Sequence, residues 1–138
     1  MIAAGGGADM KDIAGMVRSD PYAGLLGIVV ESVEGGYARC SLTVTEKMLN
    51  FLGMVHGGLV FSLADVAFSA ASNRDHSPSY ALDVSGSFLR TARVGDVIRA
   101  EARLIHTTRR TGVYRMDVTN GSSLMATFNG TVFRKVDG

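Results

Sequence analysis

The chain has 138 residues, of which 46% are hydrophobic and 20% charged; this is the make-up of one globular domain with material for a core, and it excludes general disorder. No apolar run reaches the length of a membrane-spanning helix, and a net charge of +1 is too small to point to nucleic acid. The N-terminus has no basic segment followed by an apolar one and Cys40 is the only cysteine, so no secretory signal, no internal disulfide and a reduced, cytoplasmic setting are expected.

Residues 1–15 are rich in Gly and Ala and are expected to form a flexible tail, leaving 16–138 as a single domain. A short helix is predicted near Lys11 to Arg18. Ser19-Asp20-Pro21 then breaks it, because proline disfavours helical backbone in the residue before it. Leu26 to Val33 and Tyr37 to Thr45 read as strands joined by a hairpin at Glu34-Gly35-Gly36. Lys47 to Gly53 is irregular. Gly57 to Ser72 runs for four turns of small and apolar residues without two-residue alternation, which predicts a helix buried on nearly all sides and ended by the polar stretch from Asn73 to Pro78. Strands follow at 79–90, 97–108, 113–119 and 122–136. Their turns lie at Gly95-Asp96, at 109–112 and at Asn120-Gly121, a strong type I′ hairpin signal. Short turns predict that these last four strands form an antiparallel meander. A helix that is apolar all round needs cover, which a long curled sheet supplies, so the class is α+β.

Asp65 is the one charged residue between His56 and Asn73. A mid-helix carboxylate among apolar neighbours is costly unless paired, and its pKa should rise by desolvation. Such placement marks functional carboxylates. The plainer alternative is a structural aspartate, hydrogen-bonded or at the helix edge. His56-Gly57-Gly58 lies where loop becomes helix. There the first N–H groups lack partners, the helix dipole adds positive charge, and glycines admit a ligand to the backbone. That geometry suits an oxyanion, or simply eases a tight entry with His56 as cap. Gly57 and Asp65 stand eight residues apart, about 12 Å of helix rise, too far for one carbonyl. Two chains about a two-fold axis would bring one's Gly57 to the other's Asp65, so an enzymatic reading predicts a homodimer with two shared sites. Ser69, four residues beyond Asp65, could hold a water or bond back to the helix. Asn50 could orient a carbonyl or brace its loop.

Residues 1–70 carry four basic and seven acidic side chains, whereas residues 71–138 carry ten basic, nine of them arginine, and six acidic. Arginine suits phosphate, but such a set is equally a solvated sheet face. His56, His76 and His106 lack metal-ligand spacing, and no nucleophile elbow, dinucleotide fingerprint or P-loop is present. Cys40 alternates with Leu42 and Val44 and is expected in the core.

Asn50-x-x-Gly53-x-x-His56-Gly57-Gly58, Phe61-Ser62-Leu63-Ala64-Asp65, Ala67-Phe68 and Asn73 resemble the phenylacetic-acid-degradation (PaaI-like) family of hotdog-fold acyl-CoA thioesterases. The resemblance extends to Asp20-Pro21-Tyr22, Leu26-Gly27-Ile28, Ser87-Phe88-Leu89-Arg90, Gly95-Asp96 and Arg110-Thr111-Gly112-Val113-Tyr114, covering about residues 16–136. It implies the hotdog fold, a central helix wrapped by a curved antiparallel sheet, and homodimers paired as dimers of dimers with sites at the dimer interface. It implies Asp65 as nucleophile or general base, Gly57 N–H as oxyanion donor from the other subunit, and Asn50 and His56 as positioning groups. Gly58, Ser69 and Asn73 are placed with them as substrate contacts, and Arg90, Arg109 and Arg110 as candidates for the CoA phosphates. No cofactor or metal is implied, since CoA is part of the substrate. Two positions depart: Thr91 stands where many relatives have Pro, affecting strand exit, and Val66 where they often have Thr or Ser, which leaves Ser69 to place water. The expected reaction is hydrolysis of an aryl-acetyl-CoA thioester. The alternatives are a hotdog 3-hydroxyacyl thioester dehydratase or hydratase, which needs a working His–acid pair, and a non-catalytic acyl-CoA sensing module, which has no use for Asp65.

Overall fold

The computed structural model describes residues 12–74 and 78–135. Two short helices, α1 (Asp12–Arg18) and α2 (Pro21–Leu26), precede strands β1 (Val29–Glu34) and β2 (Tyr37–Thr43). After a 3-10 turn at Glu46–Met48 come helix α3 (Gly57–Ser72) and strands β3 (Ser79–Phe88), β4 (Val97–Thr107), β5 (Thr111–Asn120) and β6 (Ser123–Arg134). The six strands form one antiparallel sheet, ordered β1-β2-β4-β5-β6-β3.

α3 is the core. Eleven of its sixteen residues are buried, as its apolar composition demands. Ala38, Cys40 and Leu42 of β2, Ile98, Ala100 and Ala102 of β4, and Tyr114, Met116 and Val118 of β5 form the buried face of the sheet in the same core. Alanine and glycine on this face let the helix sit close. A Cβ on Gly130 would lie 2.7 Å from the Phe68 ring, so a methyl group there has no room. Phe68 in turn meets Tyr114 at 5.6 Å between ring centroids. Cys40 is fully buried, and desolvation pushes its thiol up to about 12.

Four expectations need correction. The strand expected from Leu26 begins at Val29, because Asp20-Pro21 starts a helix as well as ending one. The Asp20 carboxylate accepts the Tyr22 and Ala23 N–H groups, Pro21 occupies the first turn, and Gly27 closes α2 in the left-handed conformation. The meander holds only for β4-β5-β6. β3 lies at the far edge beside β6, and β4 pairs with β2 instead. Residues 89–96 between β3 and β4 are long enough to cross the ends of β5 and β6, about 14 Å at the usual strand spacing. The hairpin expected at Asn120-Gly121 turns one residue later: Asn120 pairs with Ser123 at the end of β5, Asn120 does not take the positive φ of a type I′ turn, and Gly121, at φ 60, turns the chain with Ser122. Residues 1–11 lie outside the described residues; Asp12 onward is helix, with Ile13 buried.

Candidate active site

α3 has one polar stripe. Gly58, Phe61, Asp65, Ser69 and Asn73 recur at three- and four-residue steps and escape full burial, whereas Val66 points into the core. Asp65 sits at its middle, half-buried. Among the described residues its carboxylate has no hydrogen-bond partner. Desolvation, and secondarily the charge of Asp20, raises its pKa.

His56 caps α3: its Nδ1 accepts the Gly58 N–H at 2.9 Å, which leaves the proton of the neutral ring on Nε2. Gly57 N–H precedes that capped amide in the first turn. A Cβ on Gly57 would meet only the Phe88 ring, at 3.5 Å, an ordinary contact; nothing inside the chain requires glycine there. Asn50 Oδ1 accepts the Leu52 and Met54 N–H groups, so its carbonyl braces the loop and its amide N–H groups are left to donate. Thr91 has a use beyond strand exit. Its Oγ1 accepts the Val55 N–H at 3.2 Å, steadying the approach to His56, a bond proline could not make.

One chain does not assemble all of these. Asp65 lies about 12 Å along the helix from Gly57, and of the His56 ring only Nδ1 is engaged, on the cap; within one chain no His56–Asp65 hydrogen bond forms. Ser69 is exposed and borders a cavity of about 410 Å³ together with Asp20, Ile13, Met16, Val17 and Tyr80. Asn73 also borders it, but both ends of its amide are engaged: Nδ2 donates to Ser69 O and Oδ1 accepts Ser79 N–H, which joins α3 to β3. The three arginines are divided. β3 pairs Phe88 with Ala126 and Ser79 with Arg134, while β5 pairs Thr111 with Phe133. Arg90 therefore stands at one end of the sheet and Arg109 and Arg110 at the other, roughly 30 Å apart at the usual strand rise. The sequence reading missed Tyr22, whose hydroxyl reaches Ser62 on α3; the Asp-Pro cap of α2 was the available signal. Among the described residues no His, Cys, Asp and Glu group could hold a metal, and no helix is long and apolar enough to cross a membrane.

Residues 52–127 match the thioesterase superfamily. The chain belongs to that family. This thioesterase is 38% identical over 120 residues to the acyl-coenzyme A thioesterase PaaI of Escherichia coli, covering 86% of each chain. It superposes on the solved structure of that organism's PaaI protein with a TM-score of 0.86 at 36% identity, covering 93% of each chain. It is also similar to a Streptococcus mutans protein solved with acetyl-CoA bound, with a TM-score of 0.74 at 28% identity over 78% of this chain and 88% of that one. The hotdog fold of a PaaI-like thioesterase is thus in place.

Proposed function

We propose that this hotdog acyl-CoA thioesterase hydrolyses an aryl-acetyl-CoA at two sites shared between the chains of a homodimer, with Asp65 of one chain and the Gly57 N–H of the other acting on one carbonyl. The observation that carries the reading is Asp65: a half-buried carboxylate without a described partner, midway along the only exposed stripe of α3.

The placement of β3 supports the shared site. It pairs on one side only, with β6, and is exposed along nearly its whole length. It runs beside α3 in the opposite direction, with Phe88 next to Gly57 and Ser79 bonded to Asn73 and Ser72. Two such edges paired about a two-fold axis near Ser85, level with the first half of α3, would set two α3 helices antiparallel, each Gly57 end moving towards the other's middle. The same operation would bring one chain's Arg90 end to the other's Arg109 and Arg110 end, where CoA phosphates would find both.

In this reading Asp65 takes a proton from water, the resulting hydroxide adds to the thioester carbonyl, and the Gly57 N–H stabilises the oxyanion. Collapse breaks the carbon–sulfur bond, and the CoA thiolate recovers the proton from Asp65. The products are the free acid and CoA, with no cofactor. His56 Nε2–H and the Asn50 amide are the further donors. The acyl group would enter the cavity beyond Asp65, at Ser69 and Asn73, which at about 410 Å³ has ample space for one ring, given that about 150 Å³ suffices for benzene. Pairing of dimers into a tetramer and a cytoplasmic location belong to the same proposal.

Free-thiol release from phenylacetyl-, hydroxyphenylacetyl-, benzoyl-, acetyl-, palmitoyl- and 3-hydroxyacyl-CoA tests it, with Asp65→Asn beside the wild type. Turnover of an aryl-acetyl thioester, cut by roughly 10²–10⁴ in the variant while CoA esters still bind, is the expected result. Equal rates in the two proteins would remove Asp65 from the reaction, and ester binding without turnover would favour a sensing module.

A further inference from the structure

We infer that Tyr22 is a positioning residue for hydrolysis, its phenol acting through Ser62 to hold the glycine turn that presents the Gly57 N–H; this rests on the proposed function.

The turn needs such support. α3 begins with two consecutive glycines, the residues that lose most freedom on entering a helix. An oxyanion donor is useful only if it is already aimed when charge develops. Both backbone groups of Gly58, the residue after the donor, are held by side chains. Its N–H donates to His56 Nδ1 at 2.9 Å, and its carbonyl accepts from Ser62 Oγ at 2.8 Å. Ser62 is buried, and its single hydroxyl hydrogen is committed to Gly58. The Tyr22 phenol, 2.8 Å from Ser62 Oγ, is therefore the donor in their contact. The chain of bonds runs Tyr22 to Ser62 to Gly58, and the accepted bond fixes the rotamer from which Ser62 reaches the turn.

Tyr22 is not there to fill the core. It is 53% exposed, so its ring leaves water only in part, while its hydroxyl reaches across to α3. The short helix that carries it is fixed independently, by the Asp20 cap, by Gly27 and by buried Ala23. Removing the hydroxyl therefore releases the turn without unfolding α2.

Tyr22→Phe keeps the ring and deletes the donor. The expected result is a roughly fivefold fall in kcat, the worth of one ordinary hydrogen bond, with KM within twofold of wild type. Ser62→Ala should lower kcat at least as far. Adding Tyr22→Phe to it should then change nothing, because the phenol acts only through that hydroxyl. Amide exchange at Gly58 and Leu59, read by NMR, should quicken in Tyr22→Phe. An unchanged kcat, effects of the two substitutions that multiply, or unaltered exchange would each overturn the inference. Wild-type inactivity on every thioester would instead sink the proposed function and the catalytic part of this inference with it, and the exchange rates would still decide the clamp.

Discussion

Asp65 carries a cost in stability. Its carboxyl is held above the ordinary aspartate range by burial first and Asp20 second. The folded state therefore binds its proton more tightly than the unfolded chain, and between the unfolded and folded pKa values stability falls as pH rises. Asp65→Asn, inactive in the proposed mechanism, should melt at a higher temperature than wild type at pH 7, and the gain should vanish below the ordinary aspartate pKa, where both side chains are neutral. Gly57→Ala separates folding from chemistry in another way. The new methyl group meets only Phe88 at ordinary distance and replaces a poor helix former. Melting should be unchanged or raised by up to about 1 kcal/mol of stability, while kcat/KM for a CoA ester falls tenfold or more as the ligand loses its approach to the backbone. At this scale the positions were legible in the sequence: a charge in an apolar helix singled out Asp65, which is half-buried with its pKa raised, and glycines at a helix start singled out Gly57, which does open α3. Asn50 and His56 were ambiguous because one side chain can both brace and donate, and only coordinates show which atoms are spent.

Elements were legible where their signals were local. α3 spans Gly57–Ser72 as expected, whereas the turn between β5 and β6 forms one residue later than its Asn-Gly signal, at Gly121 and Ser122, with Asn120 still paired in β5. α2 was read as a break because Asp-Pro ends one helix with the same chemistry that begins the next. The place of β3 was not local information at all. A strand with polar and apolar residues on both faces can sit beside any neighbour of suitable length, and the choice is made by where α3 delivers the chain. The closeness of helix and sheet gives a test at this scale. Gly130→Ala drives a methyl group to 2.7 Å from the buried Phe68 ring and 3.2 Å from Met116, and should cost about 1–3 kcal/mol in urea unfolding, with α3 shifted rather than lost.

For the whole molecule, the proposed shared site makes a prediction that no single-chain site can imitate. Gly57→Ala and Asp65→Asn chains, each strongly impaired alone, would form mixed dimers in which one site carries both defects and the other carries neither. Co-expressed or refolded together they should recover about a quarter of wild-type activity, since half of randomly paired dimers are mixed and each has one intact site of two. Failure of the mixture to exceed its parents, with mixed dimers verified, would place both groups within one chain. The open side of β3 bears on this assembly in one more respect. A ten-residue strand with an unsatisfied row of N–H and C=O groups templates aggregation as readily as it templates a specific partner. The joint that would complete the catalytic site would thus also be what keeps the chain in solution, and a substitution such as Val84→Pro that blocks edge pairing should yield insoluble protein in place of a well-behaved monomer.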